Sequence, residues 1–261
     1  MRRLRSEQAF HDEQAARRRP ALSCDDLHFA DDAYLEHETW VRPAMELLGN
    51  VRGREVLDLG CGHGMAAVVL ARGGANVTGL ELSAGYLAEA MARAEANGVA
   101  CRWVQGDAEH LPFADKSFDA IWGHAILHHL DLDRAAAEIE RVLRPGGRAV
   151  FCEPWGGNPV LRWARRRLSY AGKAHTADEE PLGPTGMAAL RARFPQLEWQ
   201  GHQLLSMVRR VYGDNVLTRT LAVFDRVALR WVRPLRHWCR YAVVLLPGES
   251  AAAAEHSPRR A

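Results

Sequence analysis

The sequence contains no run of about 18 consecutive apolar residues, the length that a membrane-spanning helix needs. Its first residues are basic, but acidic residues rather than an apolar stretch follow them, so we expect no signal peptide. The five cysteines are widely spaced, odd in number and without a C-x-x-C pair. This pattern argues against a disulfide framework and a structural zinc site. It is typical of a reducing compartment, so we expect a cytoplasmic protein.

A strong charge of either sign is also missing. The net charge is only +2 over 261 residues, which argues against a dedicated nucleic-acid binder. Hydrophobic residues make up 48% and charged residues 25%, proportions typical of a soluble chain with a sizeable core. The length suits one large α/β domain, or one domain with a small cap, and it gives no indication of the oligomeric state.

Strand and helix patterns alternate with short loops between residues 51 and 153, as in a parallel sheet. Ser83 is a good N-cap for a helix that ends before Gly98. A further helix is predicted at 133–143, and residues 207–240 are mostly helical. The predicted strands are 55–59, 76–80, 101–105, 118–122, 148–152, 197–205 and 241–246.

This order predicts a Rossmann-like, doubly wound α/β fold with a mostly parallel seven-stranded sheet and a helical cap. We treat the chain as a single domain with four parts. Residues 1–50 form an N-terminal helical lid with a helix at 35–48, and residues 51–157 form the core. Residues 158–240 form a cap interleaved with the last strands, and residues 251–261 are expected to fray.

The most informative stretch is 56–64, Val-Leu-Asp-Leu-Gly-Cys-Gly-His-Gly. A strand pattern that carries Asp58 runs directly into Gly60, Gly62 and Gly64, and a helix pattern follows. Strand, glycine loop and helix bring the backbone close to a nucleotide-like ligand, because glycine has no side chain to block the approach. A buried carboxylate at 58 repels phosphate but attracts an ammonium or sulfonium group. The stretch therefore predicts an adenosine ligand with a positively charged tail.

Two more acids end the next strands. Glu81 lies 17 residues after Gly64, where a carboxylate can accept both ribose hydroxyls. Asp107 ends the third strand, where it can accept the adenine amino group. Each acid alone is weak evidence, because strand-end acids often only cap the next helix. The carboxyl ends of neighbouring parallel strands meet in one crevice, so Asp58, Glu81 and Asp107 together predict a nucleoside site.

The competing ligand is a nicotinamide dinucleotide, whose fingerprint is G-x-G-x-x-G. The spacing here is G-x-G-x-G, and Asp58 precedes the first glycine. An acid is also present at the end of the third strand. These differences favour the adenosine ligand with a cationic tail over the dinucleotide.

At this point the chain resembles the class I S-adenosylmethionine-dependent methyltransferases, in the small-molecule group with ubiquinone-biosynthesis-like members. The resemblance covers about residues 50–155, in the order and spacing of the family, and residues 175–182 are similar to a segment of some bacterial members. The matching segments are 56–64, Glu81, 105–107 with 111–113, 117–119, 127–130 and 143–147.

The resemblance implies that S-adenosyl-L-methionine is the cofactor. Its methionine part would lie on the glycine loop, its ribose on Glu81 and its adenine on Asp107 and the Ala108 backbone. The segment around Tyr34, His37 and Trp40 would cover the cofactor as a lid, although it could equally be a helix that packs on the sheet. The cofactor-binding residues that we predict are Asp58, Gly60, Cys61, Gly62, Gly64, Glu81, Leu82, Asp107, Ala108, His124, Tyr34 and Trp40.

Three histidines follow the fourth strand. His124 and His128 are the candidate catalytic groups, because a neutral imidazole near its pKa can take a proton from the acceptor. If residues 123–131 turn helical, these two side chains share a face at i, i+4. His129 lies in an apolar context and is expected to pack. We expect no metal site, because no third ligand accompanies the pair.

The segment 217–233 is an unusual amphipathic helix. Leu217, Leu221, Phe224, Ala228 and Trp231 share one face, and four arginines (Arg219, Arg226, Arg230, Arg233) lie on the opposite face. We expect a cap helix with its apolar side on the substrate pocket. Peripheral contact with an anionic membrane through residues 217–233 remains an alternative.

The function that we predict is methyl transfer from S-adenosylmethionine to an O, N or C nucleophile of a small, apolar or aromatic molecule. Trp122, Trp155, Trp163 and Tyr212 are the aromatic residues that the cap would bring to the pocket. Two alternatives stay open, namely lipid or quinone methylation at a membrane surface, and a cofactor-binding scaffold without turnover.

Overall fold

The computed structural model describes residues 2–18, 23–167 and 181–249. The predicted frayed tail at 251–261, and residues 175–180 of the segment singled out above, lie outside the described residues. Within the described part, no helix is both long and apolar enough to cross a membrane.

Seven strands form one sheet in the order β3-β2-β1-β4-β5-β7-β6. All neighbouring pairs are parallel except those of β7, which runs antiparallel to both β5 and β6. The predicted seven-stranded, mostly parallel sheet is therefore confirmed. The strands are β1 (Glu55–Leu59), β2 (Asn76–Glu81), β3 (Arg102–Gln105), β4 (Phe118–His124), β5 (Leu143–Pro154), β6 (Glu198–His202) and β7 (Tyr241–Pro247).

Helices cover both faces of this sheet. Three of the helices that link parallel strands are α5 (Met65–Arg72), α6 (Ala84–Ala96) and α7 (Leu132–Val142). The remaining helices are α1 (Arg2–Arg18), α2 (Cys24–Leu27), α3 (Asp31–Leu35), α4 (Val41–Glu46), α8 (Pro159–Arg167), α9 (Pro184–Arg193), α10 (Arg209–Tyr212) and α11 (Val216–Trp231).

The winding direction reverses between β1 and β4. The chain passes outward from β1 through β2 to β3, and then returns to pair β4 on the other side of β1. Ligands of such sheets bind outside the carboxyl ends of the strands at this reversal. The fold therefore places the candidate site at the ends of β1 and β4.

Alternate residues of the strands feed two cores. Leu57 and Leu59 of β1 join the core that α7 and α9 cover, whereas Val56 faces the core under α4 and α5. Side chains alternate along a strand, so Asp58 points to the same face as Val56. The pattern aims the carboxylate toward the start of α5.

Ser83 caps α6 as predicted, because its hydroxyl accepts a hydrogen bond from the Tyr86 backbone N–H at 3.1 Å. The predicted helix at 35–48 is wrong. The chain forms α3 up to Leu35 and starts α4 anew at Val41, so that Pro43 falls in the first turn. A proline further inside a helix would clash with the preceding turn and remove a hydrogen bond.

The expected orientation of α11 is also wrong. Leu217, Phe224 and Trp231 are exposed instead of facing a pocket. The buried residues of α11 are Thr218 and Asp225, which lie between the apolar face and the arginine face. Polar contacts therefore hold α11 in place, and its apolar face points outward.

Candidate cofactor and substrate site

The glycine loop after β1 has a backbone that side chains would disturb. Gly60, Gly62 and Gly64 all have positive φ, at 68°, 50° and 84°. A Cβ on Gly60 would lie 2.7 Å from the Ile126 side chain, and one on Gly64 would lie 2.7 Å from Ala90. A Cβ on Gly62 would meet no atom within 4 Å. The loop therefore packs tightly at its ends and is open in the middle, where a ligand can approach.

Glu81 organises this loop from the end of β2. One carboxylate oxygen accepts the backbone N–H groups of Leu82 and Ser83, at 2.9 and 3.0 Å, and the other accepts that of Gly62 at 2.9 Å. A carboxylate has about four acceptor positions, so about one remains for a ligand hydroxyl. For Glu81 to accept hydrogen bonds from both ribose hydroxyls, the hydrogen bond from the Gly62 backbone N–H would have to break.

Asp58 is a buried acid whose second carboxylate oxygen has no hydrogen-bond partner among the described residues. Burial raises the pKa of Asp58 to about 7, and the negative charge of Glu81 adds to the rise, while the backbone N–H of Ala67 opposes it. A cationic group placed beside this oxygen would lower that pKa and supply the missing partner. The geometry suits a positively charged ligand rather than a phosphate.

Asp107 ends β3 in a tight turn. Its carboxylate accepts the Glu109 backbone N–H at 2.8 Å and lies 3.1 Å from Nδ1 of the exposed His110 ring. The next residue, Ala108, is buried. Asp107 therefore lies at the same sheet edge as Asp58 and Glu81, which brings the three predicted acids to one edge.

His124, at the end of β4, belongs to an aromatic cluster. Its Nδ1 lies 3.2 Å from the Tyr34 hydroxyl, which accepts a hydrogen bond from Trp122 Nε1 at 3.1 Å. Trp40 packs edge-on against the imidazole with ring centroids 5.1 Å apart. Burial, with the nearby His37, lowers the pKa of His124 to about 4. The ring is therefore neutral near pH 7 and a weak base, better suited to contact than to proton abstraction.

His128 is a better candidate than His124 for acid–base chemistry. Its Nδ1 lies 2.7 Å from Oε2 of Glu153, which is fully buried at the end of β5. The other oxygen of Glu153 accepts the backbone N–H groups of Ile126 and Leu127. A carboxylate only accepts, so it holds the imidazole proton on Nδ1 and leaves Nε2 as the basic nitrogen of the neutral ring. Sequence reasoning missed Glu153, although its position at a strand end was a signal.

The expected helical pairing of His124 and His128 is wrong. His124 is the last residue of β4, Ala125 has a positive φ of 57°, and a 3-10 turn spans Leu127–His129. Two separate elements therefore carry the two rings. His129 packs against His128 with ring centroids 4.1 Å apart, in line with the packing role expected for it.

Helix α1, which lies in the segment predicted as an N-terminal helical lid, crosses the same sheet edge. Arg3 donates to the His129 backbone carbonyl at 3.1 Å and forms an ion pair with Glu109. Asp12 accepts from the Ser83 hydroxyl at 2.5 Å and from the Gly85 N–H at 3.2 Å. α1 therefore spans the carboxyl ends of β2, β3 and β4, over the predicted nucleoside site.

The aromatic pocket expected from four residues is not formed. Trp122 and Trp155 are fully buried in the two cores, whereas Trp163 and Tyr212 are exposed. The Trp155 indole donates to the His237 carbonyl at 3.1 Å, so it anchors the cap rather than lining a pocket. Tyr34 and Trp40, by contrast, contact His124 at the end of β4.

Comparisons with known proteins found a matching family and similar proteins. Residues 57–151 match a family described as "Methyltransferase domain". A demethylmenaquinone methyltransferase of Tropheryma whipplei is 40% identical over 123 residues, which cover 46% of this chain and 50% of that protein. A fatty-acid O-methyltransferase of Mycolicibacterium smegmatis is 38% identical over 119 residues, covering 44% and 43% of the two chains.

A solved structure of geranyl diphosphate C-methyltransferase from Streptomyces coelicolor, in complex with S-adenosyl-L-homocysteine, has the same fold. Its TM-score is 0.53 at 18% identity, with 79% of this chain and 77% of that chain covered. The chain spans about half the length of the curated relatives that it matches. The similarity to those relatives therefore covers less than half of this chain.

Proposed function

We propose that the chain is a class I S-adenosylmethionine-dependent methyltransferase, which uses the methyltransferase domain matched at residues 57–151 to methylate a small molecule. The acceptor would be an oxygen, nitrogen or carbon nucleophile of an apolar or aromatic metabolite. The observation that carries the proposal is that Asp58, Glu81 and Asp107 lie at or just after the carboxyl ends of three neighbouring parallel strands, next to an open glycine loop at the reversal of the sheet.

The described residues fit S-adenosylmethionine. Asp58 offers an unpartnered buried oxygen to a cationic group, and the space above Gly62 admits the ligand. Glu81 retains about one acceptor position for a ribose hydroxyl. Asp107 and the Ala108 backbone would hold the adenine. Leu82, Cys61, Tyr34, Trp40 and His124 would complete the surroundings of the cofactor.

When bound, the cofactor supplies a methyl group activated by a sulfonium. The protein's part is to place the acceptor in line with that group and to keep water away. Helix α1, over the carboxyl ends of β2 to β4, would close the site. The Glu153 carboxylate holds the His128 ring so that Nε2 can take the proton of a hydroxyl acceptor. His124 would make a neutral contact.

The test uses S-adenosylmethionine with a labelled methyl group and small-molecule fractions of a cell extract. We expect label in an apolar metabolite and formation of S-adenosylhomocysteine. His128→Gln should lower kcat at least about tenfold, with cofactor affinity unchanged. The matched control His28→Gln, at an exposed histidine, should behave as wild type.

Two results would contradict parts of this proposal. Label only in peptides or RNA would exclude a small-molecule acceptor. Cofactor binding without turnover on any fraction would instead indicate a scaffold that binds S-adenosylmethionine. A cytoplasmic location, expected from the cysteine pattern, stays a prediction.

A second candidate function is methylation of a lipid or quinone at a membrane surface. The outward apolar face of α11 favours it, because soluble proteins rarely leave such a face uncovered. Peripheral contact through residues 217–233 belongs to this candidate. Methyl transfer to an acceptor embedded in vesicles, and slower transfer to the same acceptor in detergent, would support it.

A further inference from the structure

Helix α11 presents a continuous apolar face to solvent. Six of its apolar side chains are between 50% and 82% exposed. Their spacing places them on one side of the helix, where residues three, four and seven apart are neighbours. The six residues, which we call the apolar ridge, are Val216, Leu217, Val223, Phe224, Val227 and Trp231.

The opposite side of α11 explains why the helix keeps this orientation. The buried Asp225 carboxylate accepts the backbone N–H groups of Leu204, Leu205 and Ser206, and also the Ser206 hydroxyl at 2.6 Å. Thr218 caps the start of the helix through a reciprocal pair of hydrogen bonds with Asn215. These anchors are polar and satisfied, so the ridge is held outward.

Arginines flank the ridge, and acids do not. Residues 199–248 contain eight arginines, no lysine and only two acids, Asp214 and Asp225. Asp225 is buried in the contacts above, and Asp214 pairs with Arg219 at 3.0 Å. Among the described residues, Arg226 and Arg230 form no ion pair, so this surface is strongly positive.

A groove of about 1240 Å³ runs along the arginine side of the ridge. Arg226, Arg230 and Arg236 line it, together with Arg191 and Arg233. The Arg236 guanidinium lies over the Trp199 ring at 4.4 Å, and its buried Nε has no hydrogen-bond partner among the described residues. Burial, and the charges of Arg191 and Arg233, lower the pKa of Arg236. Three glutamates, Glu36, Glu38 and Glu198, also line the groove.

Further exposed apolar residues lie on α8 and on the 3-10 segment after α11. Asn158 donates to the Trp238 backbone carbonyl at 2.5 Å, which ties α8 to the 3-10 segment Arg233–Trp238 after α11. Trp163 and Val160 of α8 are both 59% exposed, and Trp238 is 47% exposed. α8 follows the carboxyl end of β5, and α11 follows that of β6. The surface therefore lies at the same edge of the sheet as the cofactor site.

We propose that the apolar ridge and the flanking arginines dock onto an anionic phospholipid surface, with the ridge in the acyl boundary and the groove arginines on lipid phosphates. Charge complementarity selects this occupant, because the surface is apolar and aromatic at its centre and its groove is lined by eight arginines against five acids, Glu36, Glu38, Glu198, Asp214 and Asp225. The proposal deepens the membrane candidate for the proposed function, but lipid binding itself does not require methyl transfer.

The test is co-sedimentation of the full chain with vesicles of phosphatidylglycerol and phosphatidylcholine in equal parts, at low salt. We expect binding that weakens with added salt and is nearly lost on pure phosphatidylcholine. F224S/W231S should reduce binding at least about tenfold, and so should R226E/R230E. The matched controls are Met91→Ser and Arg102→Glu, exposed residues on α6 and β3, and both should bind as wild type.

No binding to the anionic vesicles, or equal loss in the Met91→Ser control, would overturn the proposal. A dimer in light scattering that F224S/W231S dissolves would also overturn it, because the ridge would then be an interface between two copies. Calorimetry with S-adenosylhomocysteine on each variant separates the two proposals. A variant that binds the nucleoside but not vesicles has lost docking alone, whereas a wild type that binds vesicles but no nucleoside contradicts the proposed function alone.

Discussion

Two amphipathic helices of this protein differ in whether their apolar face is buried. In α7, the apolar residues Ala135, Ala136, Ile139 and Val142 are completely buried, as the pattern predicts. In α11, a similar pattern leaves the apolar residues in solvent and buries Thr218 and Asp225. An amphipathic pattern therefore shows that a helix has two faces, but it does not show which of them the fold covers.

The topology explains the difference. α7 connects β4 to its parallel neighbour β5, and a parallel connection must cross back over the sheet, so the helix has to pack there. α11 lies between β6 and β7, which are antiparallel and need only a short turn. Helix α11 is therefore an insertion that the strand connection does not force to pack on the sheet. The most direct ways to break this comparison are substitutions in the two helices.

The largest effect is expected in the covered helix. Ile139→Ala should lower the free energy of unfolding by about 2–5 kcal/mol, because it removes a fully buried side chain and leaves a cavity. Phe224→Ala in α11 should change it by less than about 0.5 kcal/mol. Urea denaturation of both variants checks this pair. Similar losses in the two variants would mean that the apolar ridge is covered after all.

The second largest effect on stability is expected at the polar anchor of α11. Asp225→Asn should weaken the hydrogen bonds to residues 204–206 and destabilise the cap locally, by about 1.5–3 kcal/mol. Amide hydrogen exchange should accelerate in α11 while β1 and β4 keep their protection. Uniform acceleration through the sheet would show that the cap and the core unfold together.

Two half-buried histidines extend the comparison to pH. Burial lowers the pKa of His124 in the core and of His202 beside the cap, each to about 4. Between pH 4 and about 6.5 the unfolded chain binds more protons, so both rings stabilise the fold above pH 6.5 and lose that contribution as the pH falls. Asp58 acts in the opposite sense, because its folded pKa of about 7 lies above its unfolded value.

The measurement is the free energy of unfolding of wild type and variants at pH 6.5 and pH 5. Relative to wild type, His202→Gln and His124→Gln should each reduce the loss on acidification, by roughly 2 kcal/mol. The variant His28→Gln, at an exposed histidine, should lose as much stability on acidification as wild type does. If only one of the two variants, His124→Gln or His202→Gln, reduces the loss of stability on acidification, then only that histidine contributes to the pH dependence of folding.

The smallest effect belongs to the arginines beside the ridge. Arg226→Gln should change the free energy of unfolding by less than about 0.5 kcal/mol, because Arg226 is exposed and forms no ion pair among the described residues. Thermal unfolding tests this. A clear loss of stability would indicate a structural contact and would weaken the docking proposal.

The same contrast marks what the sequence could predict. The strands, the glycine loop and the three strand-end acids follow from local patterns, and a parallel sheet brings strand ends together without further information. The Glu153–His128 pair joins residues 25 positions apart, one on β5 and the other on the 3-10 turn after β4. The position of α1 depends on contacts with residues about 70 to 126 positions away, including Ser83 and His129. Neither arrangement has a local periodicity to reveal it.

The central claim is that Asp58, Glu81 and Asp107 form the nucleoside site, and titration calorimetry with S-adenosylhomocysteine tests it most directly. Wild type and Glu95→Gln, a control at an exposed glutamate of α6, should bind one ligand per chain. Glu81→Gln should bind at least about tenfold more weakly, with a thermal midpoint that shows it is still folded. No binding by wild type, or equal binding by a folded Glu81→Gln, would contradict the account.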